Sequence, residues 1–264
     1  MTTVLKLGGE LLEDAAAIAS AARAIVRLAA LGPLVVVHGG GRAIDAELKA
    51  RGESPRFVDG LRVTDAAALD AVVAVLAGRN NTALVAALGA AGARAVGLTG
   101  ADSAIGLSEQ AAAFTSVAGD EVNLGLVGHP VGSDVALLVD LLRLGYVPVV
   151  ASLGVRSDGA LLNVNADILA GHLAAALRAN RLIVAGGTAG VLDGSGRTIA
   201  VLTQDDVAEM TASGAAHSGM IAKLAACGRA LDAGVPDVTI VSGRGTDDYT
   251  TATGTRIERA ACRA

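Results

Sequence analysis

The stretch LVVVHGGGRAIDAELKAR, residues 34–51, joins four apolar residues to a helical pattern through three consecutive glycines. A valine-rich run of this length is typical of a strand buried on both faces of a parallel sheet. The glycines leave backbone N–H groups exposed at the positive end of the following helix, which favours an anion. The stretch predicts a strand, an anion-binding turn and a helix, although glycine-rich turns of this kind are common.

The same alternation of apolar runs and Ala/Leu-rich helical stretches continues along the chain, with a second series beginning near Gly154. It predicts a mainly parallel sheet with helices on both faces, so the expected fold class is α/β. Predicted strands lie at residues 4–7, 34–38, 95–99, 147–152, 182–185 and 238–242. Predicted helices lie at residues 14–31, 41–51, 132–145, 165–179, 204–213 and 219–234, with two more within residues 65–91.

Two stretches depart from this alternation. Residues 55–64 place apolar residues on either side of Asp59-Gly60, which predicts a β-hairpin. Residues 102–131 are rich in Gly and Ser and contain only short strand-like pieces. We expect both stretches to form loops or small strands over the ends of the main sheet.

Composition limits the function classes. The 264 residues are 52% hydrophobic, enough for a large core in one large domain or two smaller ones. The net charge of −5 without a basic patch argues against nucleic acid as a partner. Apolar stretches such as residues 66–77 are interrupted or too short to span a bilayer, and the first residues carry no leader pattern. Cys227 and Cys262 indicate reduced thiols, so we expect a cytoplasmic protein without a membrane partner.

Lys6 lies within the first apolar strand and is followed by Leu7, Gly8 and Gly9. A lysine in such a strand is costly to bury unless it faces an anion, and ligands of open α/β sheets bind at the carboxyl ends of strands. The adjacent glycines let backbone N–H groups approach a phosphate. The alternative is a lysine that extends to water, followed by an ordinary turn.

The glycine turn after His38 matches neither common nucleotide fingerprint. Arg42, Ala43 and Ile44 follow the glycines, so G-x-G-x-x-G is absent, and the chain contains no G-K-[ST]. An unrelated dehydrogenase on a dinucleotide-binding sheet is therefore disfavoured. A histidine at a strand end is more often structural than catalytic.

Three further positions suit ligand binding, and each also has an ordinary explanation. Arg62 in the hairpin suits a bidentate clamp on a carboxylate, or is a solvated surface residue. A helix begins near Asn163, Asn165 and Asp167. Either asparagine can cap its N-terminus, and Asp167 in the first turn complements the helix dipole. Lys223 lies in the early turns of a helix, where a cation gains nothing from the dipole, which favours a role facing a ligand.

The order and spacing of these segments carry more information than any one of them. K-L-G-G, V-H-G-G-G, G-L-R-V-T-D, N-V-N-A-D, G-M-I-A-K and G-T-R-I occur in turn between Leu5 and Ile257. Together they resemble the amino acid kinase family, and within it the N-acetylglutamate kinases. The third and fourth segments are the specific ones, whereas the first two are shared with aspartate, glutamate-5 and carbamate kinases.

The resemblance implies a three-layer α/β/α sandwich with a central, mainly parallel sheet. It assigns residues 1–153 to an N-terminal lobe for the amino-acid substrate and dimerisation, and residues 154–264 to a C-terminal lobe for ATP. By the same resemblance, Lys6 and Lys223 stabilise charge on the transferring phosphoryl group and Asp167 holds both lysines. The remaining implied contacts are Gly40, Gly41, Arg62 and Asn163 for the substrate, and Gly8, Gly9, Gly187, Thr188, Gly190, Val191, His217 and Gly219 for the nucleotide.

The implied reaction is transfer of a phosphoryl group from ATP to the side-chain carboxylate of N-acetyl-L-glutamate in arginine biosynthesis. A side-chain carboxyl group has a pKa of about 4.3, so the acceptor is ionised at neutral pH and needs no general base. The reaction requires positioning and positive charge, which two lysines, glycine N–H groups and Mg²⁺ supply. The resemblance implies that the nucleotide phosphates and water hold Mg²⁺, so no protein ligand to the metal is expected.

The sequence departs from the family pattern at Gly187, where an aspartate is usual, and at His217, which contacts the nucleotide or lies exposed. Two other functions stay open, and only the second of them is raised by Gly187. One is a sibling kinase that acts on an aminoadipate derivative in lysine biosynthesis, and the other is a non-catalytic binding or regulatory member.

Because the chain starts directly at the first strand, the resemblance implies a homodimer without arginine feedback.

Overall fold

A single eight-stranded sheet contains all six predicted strands. The computed structural model describes residues 1–116, 118–212 and 218–259, so His217 and Cys262 lie outside the described residues. The strand order is β14-β16-β15-β13-β1-β2-β10-β5. Neighbouring strands are parallel except β15 and β16, which are antiparallel, so the sheet is mainly parallel as predicted. These strands are β1 (Thr3–Leu7), β2 (Leu34–His38), β5 (Ala95–Thr99), β10 (Val147–Ala151), β13 (Arg181–Gly186), β14 (Val201–Thr203), β15 (Asp237–Ser242) and β16 (Gly254–Glu258).

Helices cover both faces of this sheet, which confirms the three-layer sandwich. Successive strand residues point to opposite faces. Val4 therefore packs with α5, α6 and α8, whereas Leu5 packs with α1 and α4. The helices are α1 (Ala15–Ala29), α2 (Gly41–Ala50), α3 (Ala66–Val73), α4 (Asn81–Ala90), α5 (Ala136–Arg143), α6 (Ala166–Ala176), α7 (Gln204–Ala212) and α8 (Ser218–Asp232).

The two helices predicted within residues 65–91 form one continuous helix, Ala66–Ala90, because the π-helical segment Ala74–Asn80 joins α3 to α4. The expectation that this apolar stretch is interrupted or too short to span a bilayer is therefore wrong. Its mean hydropathy is 1.5 over the most apolar 18 residues, and within the described residues it is the one helix long and apolar enough to cross a membrane. A core helix passes the same test, and Leu84 and Leu88 pack in the core beneath the sheet.

Short strands occupy the two stretches that depart from the βα alternation. The hairpin predicted around Asp59-Gly60 consists of β3 (Phe57–Val58) and β4 (Leu61–Arg62). A small closed barrel contains β6 (Leu107–Gln110), β9 (Val127–Gly132), β11 (Leu153–Val155) and β12 (Leu161–Val164), beside a hairpin of β7 (Phe114–Thr115) and β8 (Glu121–Val122). The helix predicted over residues 132–145 begins later, at Ala136, because β9 continues to Gly132.

The parallel register brings the predicted site residues to one edge of the sheet. Lys6 pairs with Val37 in β2 and with Val184 in β13, so β1, β2 and β13 end side by side. Strand β15 is in register with β13 through Gly186 and Ser242. The turns that follow these four strands therefore share the edge where α/β sheets bind ligands.

Candidate active site

Two glycine turns touch each other at the centre of this edge. A Cβ added to Gly9 would lie 2.7 Å from Gly40 Cα and 3.1 Å from the amide nitrogens of Gly40 and Gly41. Real side chains do not tolerate such an approach, so the contact between the turns after β1 and β2 requires glycine at position 9. The backbone N–H groups of both turns are thereby gathered in one place, as an anion site requires.

Lys6 and Asp167 form a buried ion pair beside these turns. The Lys6 Nζ lies 2.9 Å from Asp167 Oδ1, and the side chains are only 7% and 9% exposed. Asn165 caps α6 by accepting hydrogen bonds from the backbone N–H groups of Asp167 and Ile168, which confirms its capping role. The cap fixes Asp167 in the first turn of α6, where it faces the end of β1. The alternative of a lysine that extends to water is therefore wrong.

A first cavity of about 240 Å³ lies between the β3–β4 hairpin and the start of α6. Arg62 lines it with a side chain that is 8% exposed, so the alternative of a solvated surface arginine is wrong. Its Nη2 donates to Asp45 Oδ1 at 2.7 Å and to the Gly41 carbonyl oxygen at 3.2 Å, and its guanidinium stacks 4.6 Å from the Phe57 ring centroid. The Nη1 is buried and makes no hydrogen bond in the described structure. A fixed guanidinium with an unused donor suits a carboxylate.

Asn163 lines the same cavity from β12. Its Nδ2 donates to Thr64 Oγ1 at 3.0 Å, which fixes the amide group next to the hairpin. Gly39, Gly41 and Asp167 complete the inner end of the cavity. The predicted substrate residues Gly41, Arg62 and Asn163 are thus brought together, and Gly40 lies beside them in the glycine turn.

A second cavity of about 440 Å³ lies on the other side of Gly41. Three basic residues and one acidic residue line it, together with Gly9, Gly41, Gly187 and Thr188. The basic residues are Arg42, Lys223 and Arg244, and the acidic residue is Glu10. The Lys223 Nζ would lie 3.3 Å from a Cβ added to Gly186, so the lysine reaches from α8 to the end of β13. Three cations against one carboxylate suit an anionic ligand such as a phosphate chain.

Glu10 and Arg244 were missed by the sequence reasoning. Glu10 Oε1 accepts a hydrogen bond of 2.7 Å from the Gly187 N–H. Burial raises the pKa of Glu10, but backbone hydrogen bonds and the charges of Lys6 and Lys223 outweigh it, so the pKa lies below its usual range. The available signal was position, because Glu10 and Arg244 both follow closely on strands that end at the ligand-binding edge.

Not every residue predicted for the nucleotide lines the second cavity. Gly190 and Val191 are buried against Thr255, whose Oγ1 accepts from the Val191 N–H at 2.8 Å, and Gly190 adopts a φ of +91°. These two residues shape the loop after β13 and do not face the cavity. Gly8 is packed beneath the Glu10 carboxylate, and Gly219 lies exposed in the first turn of α8.

His38 has a structural environment at the end of β2. It is fully buried, with Nδ1 3.1 Å from the Gly39 carbonyl oxygen and Nε2 3.2 Å from Asn81 Nδ2. These contacts fit a neutral ring that donates from Nδ1 and accepts at Nε2. Burial lowers the pKa of His38 to about 4.

The comparisons with known proteins agree with this geometry. Residues 1–242 match the Amino acid kinase family. An acetylglutamate kinase from Dinoroseobacter shibae is 39% identical over 242 residues, which cover 91% of this chain and 81% of the relative. Another, from Afipia carboxidovorans, is 42% identical over 250 residues, covering 92% and 84% of the two chains.

Solved structures support the same fold. The structure of smu.665 from Streptococcus mutans UA159 has a TM-score of 0.81 at 28% identity and covers 97% of this chain and 98% of that chain. An N-acetylglutamate synthase from Neisseria gonorrhoeae, solved with coenzyme A and N-acetyl-glutamate, has a TM-score of 0.82 at 24% identity, which shows the fold alone. It covers 98% of this chain and 60% of that chain. The sequence match over most of the chain and the shared fold confirm the resemblance, and the chain belongs to the amino acid kinase family.

Proposed function

We propose that this protein transfers the terminal phosphoryl group of ATP to the side-chain carboxylate of N-acetyl-L-glutamate, as an enzyme of arginine biosynthesis. The observation that carries the proposal is the pair of cavities that meet at Gly41, one with an unused arginine donor and one lined by cations. Relatives that are about 40% identical over most of the chain and carry the name acetylglutamate kinase support this acceptor.

The acceptor occupies the first cavity in this proposal. Arg62 Nη1 donates to the carboxylate next to the amide group, and the Asn163 amide binds on the same side. This leaves the side-chain carboxylate pointing towards Gly41 and the second cavity. Its pKa is about 4.3 in free solution, so it attacks as the anion and transfers no proton to the protein. The residues that line the first cavity supply binding and orientation.

The phosphate chain of ATP occupies the second cavity, against Lys223, Gly187 and Thr188. Lys6 pairs with Asp167, which lines the first cavity, and its charge acts on Glu10, which lines the second. In the proposal, its ammonium group and that of Lys223 face the phosphoryl oxygens from two sides. Negative charge grows between donor and acceptor during transfer, and fixed cations and N–H groups stabilise it without reorganising. Asp167 compensates the buried charge of Lys6 and holds its ammonium group in place.

We propose that Mg²⁺ binds together with the nucleotide. In the described parts of the chain, no group of three or more His, Cys, Asp or Glu side chains is placed to hold a metal ion. Mg²⁺ in such sites keeps several waters and binds through substrate phosphates, so the proposal assigns it no protein ligand. When bound, the ion neutralises part of the phosphate charge.

The proposal assigns roles to two lobes. Residues 1–153 supply the hairpin with Arg62 and both glycine turns, and residues 154–264 supply Gly187, Thr188 and Lys223 to the nucleotide. Asn163 and Asp167 extend from the second lobe into the acceptor cavity. We place the enzyme in the cytoplasm, where ATP and the amino-acid pool are found.

We also propose that the protein forms a homodimer through the first lobe. Helix Ala66–Ala90 is apolar, yet only 44% of its most apolar window is buried, and its exposed side carries small residues such as Ala74, Thr82 and Ala86. Strand β5 next to it ends the sheet and pairs only with β10 among the described strands. A second copy would cover both. Size-exclusion chromatography with light scattering should give a dimer that Ala86→Glu converts to a monomer, and a wild-type monomer would contradict the proposal.

The function is tested by trapping the acyl phosphate with hydroxylamine. MgATP is supplied with N-acetylglutamate, glutamate, aspartate or N-acetyl-2-aminoadipate, and we expect hydroxamate only with the first. Lys6→Ala should abolish the signal, whereas Lys49→Ala, which removes an exposed lysine of α2, should leave it unchanged. Turnover with only the aminoadipate derivative would assign the sibling reaction. No turnover with any acceptor, together with no ATP binding by calorimetry, would support the non-catalytic alternative raised by Gly187.

A further inference from the structure

Glu10 joins two turns that are 177 residues apart in sequence. It lies in the short 3₁₀ turn Gly9–Leu11 after β1, and its Oε1 accepts the Gly187 N–H at 2.7 Å. Gly187 follows the last residue of β13 and lines the second cavity with Thr188. This hydrogen bond therefore connects the first glycine turn to the loop on the opposite wall of the cavity.

Three glycines make room for the Glu10 side chain. A Cβ on Gly8 would lie 2.4 Å from Oε2, and a Cβ on Gly187 would lie 3.3 Å from Cγ. A Cβ on Gly186 would lie 3.3 Å from both Glu10 Oε1 and Lys223 Nζ. The carboxylate therefore fills a slot between the ends of β1 and β13, with the lysine beside it.

A carboxylate in the wall of a cavity for phosphates has an electrostatic cost. It repels the phosphate chain, although Lys223, Arg42 and Arg244 line the same space. Glu10 Oε1 accepts a hydrogen bond from the Gly187 N–H. A hydrogen bond from a neutral donor to an ionised acceptor is stronger than one between neutral groups. We therefore explain the presence of Glu10 by its hydrogen bond to the loop backbone and not by a direct contact with the nucleotide.

We propose that Glu10 is a positioning residue that ties the Gly187–Thr188 loop to the turn after β1, so that the loop and Lys223 form one preformed wall of the donor cavity. The tether belongs to the free protein, and its effect on catalysis depends on the nucleotide site assigned under the proposed function. Without the tether, the loop must be ordered when ATP binds, which weakens nucleotide binding.

The test uses the full-length protein with Glu10→Ala, Glu10→Gln and the control Glu53→Ala, which removes an exposed carboxylate near the end of α2. Glutamine keeps a carbonyl oxygen that accepts the Gly187 N–H, whereas alanine does not. Hydrogen exchange of the peptide covering residues 182–192 is measured on the free protein. We expect one amide to exchange at least about tenfold faster in Glu10→Ala, at an intermediate rate in Glu10→Gln, and close to the wild-type rate in the control.

Nucleotide binding is measured separately with AMP-PNP and Mg²⁺ by calorimetry. The expected Kd rises about tenfold for Glu10→Ala and less than about threefold for Glu10→Gln. In turnover, the KM for ATP should rise while the KM for the acceptor stays unchanged, a split that a general loss of stability does not produce. Thermal unfolding of each variant confirms that it folds.

Unchanged exchange in Glu10→Ala would overturn the tether. An equal loss in Glu10→Gln and Glu10→Ala would also overturn it, because the negative charge and not the hydrogen bond would then matter. Failure of the proposed function has a different signature: wild-type protein would form no acyl phosphate from N-acetylglutamate, while the exchange difference between the variants would persist.

Discussion

Replacing Asp167 by asparagine should cost both stability and activity. Lys6 and Asp167 are 2.9 Å apart, and both side chains are more than nine-tenths buried. Removing one partner of a buried pair leaves the other charge without compensation, which costs about 3–5 kcal/mol. Asparagine still offers an oxygen to Lys6 Nζ, so we expect a loss at the lower end of this range, about 3 kcal/mol. Urea unfolding of wild type and variant measures this loss.

The activity of the same variant should fall further than its stability explains. Lys6 without the Asp167 carboxylate is held less firmly, so it stabilises the transferring phosphoryl group poorly. Loss of one well-placed donor costs about a hundredfold or more in kcat. Steady-state assays at a temperature where the variant is fully folded, as checked by circular dichroism, separate this effect from unfolding.

The double variant Lys6→Met/Asp167→Leu distinguishes the two roles of the pair. Apolar residues of similar size in place of a buried ion pair are often neutral or stabilising. We therefore expect the double variant to regain most of the lost stability while kcat stays at the level of the inactive variants. The reasoning would be refuted if Asp167→Asn changed the free energy of unfolding by less than about 0.5 kcal/mol, the range of an ordinary surface substitution, and left kcat unchanged.

Three further changes follow from the same geometry. Lys223→Ala should lower kcat by about a hundredfold or more with little change in the acceptor KM, and an effect on KM alone would remove its role in the transition state. Arg62→Ala should raise the acceptor KM by about tenfold or more in initial-rate assays, whereas Arg56→Ala, an exposed hairpin arginine, should not, and equal effects would contradict the clamp. The pKa of His38 is lowered to about 4 by burial, so the unfolded chain binds this proton more readily and stability falls as pH drops below about 6.5. The wild type should lose about 2 kcal/mol more than His38→Gln between pH 7.5 and pH 5 in urea unfolding, and parallel losses would mean that His38 is not buried as a neutral ring.

The βα pattern allowed the central sheet to be predicted, because fully buried parallel strands are continuous apolar runs. Strands β14 and β16 were not predicted, because they are only partly buried and are not continuous apolar runs. In Gly254–Glu258 only Thr255 and Ile257 are buried, so the segment alternates and is not a continuous apolar run. Two helices were predicted within Ala66–Ala90, where Arg79, Asn80 and Asn81 interrupt the apolar pattern. The helix is nevertheless continuous there, because Ala74–Asn80 is π-helical and joins α3 to α4.

The candidate site was predictable where a residue type conflicted with its surroundings. Lys6 within an apolar strand and Lys223 near a helix start both lack a local explanation. Lys223 lines the second cavity, and Lys6 pairs with Asp167, which lines the first. Glu10 carried no such conflict, because an acidic residue after two glycines is an ordinary turn residue. Its role depends on Gly187, which is far away in sequence and becomes a neighbour only through the pairing of β1 with β13.

The central claim is that a side-chain carboxylate oxygen of N-acetyl-L-glutamate bonds to the terminal phosphorus of ATP. The most direct test is ³¹P NMR of a reaction with MgATP and acceptor labelled with ¹⁸O in that carboxylate. We expect loss of the ATP γ-resonance and a new acyl-phosphate resonance that carries the ¹⁸O isotope shift. ATP that stays intact, or that yields ADP and unlabelled inorganic phosphate without an acyl phosphate, would contradict it.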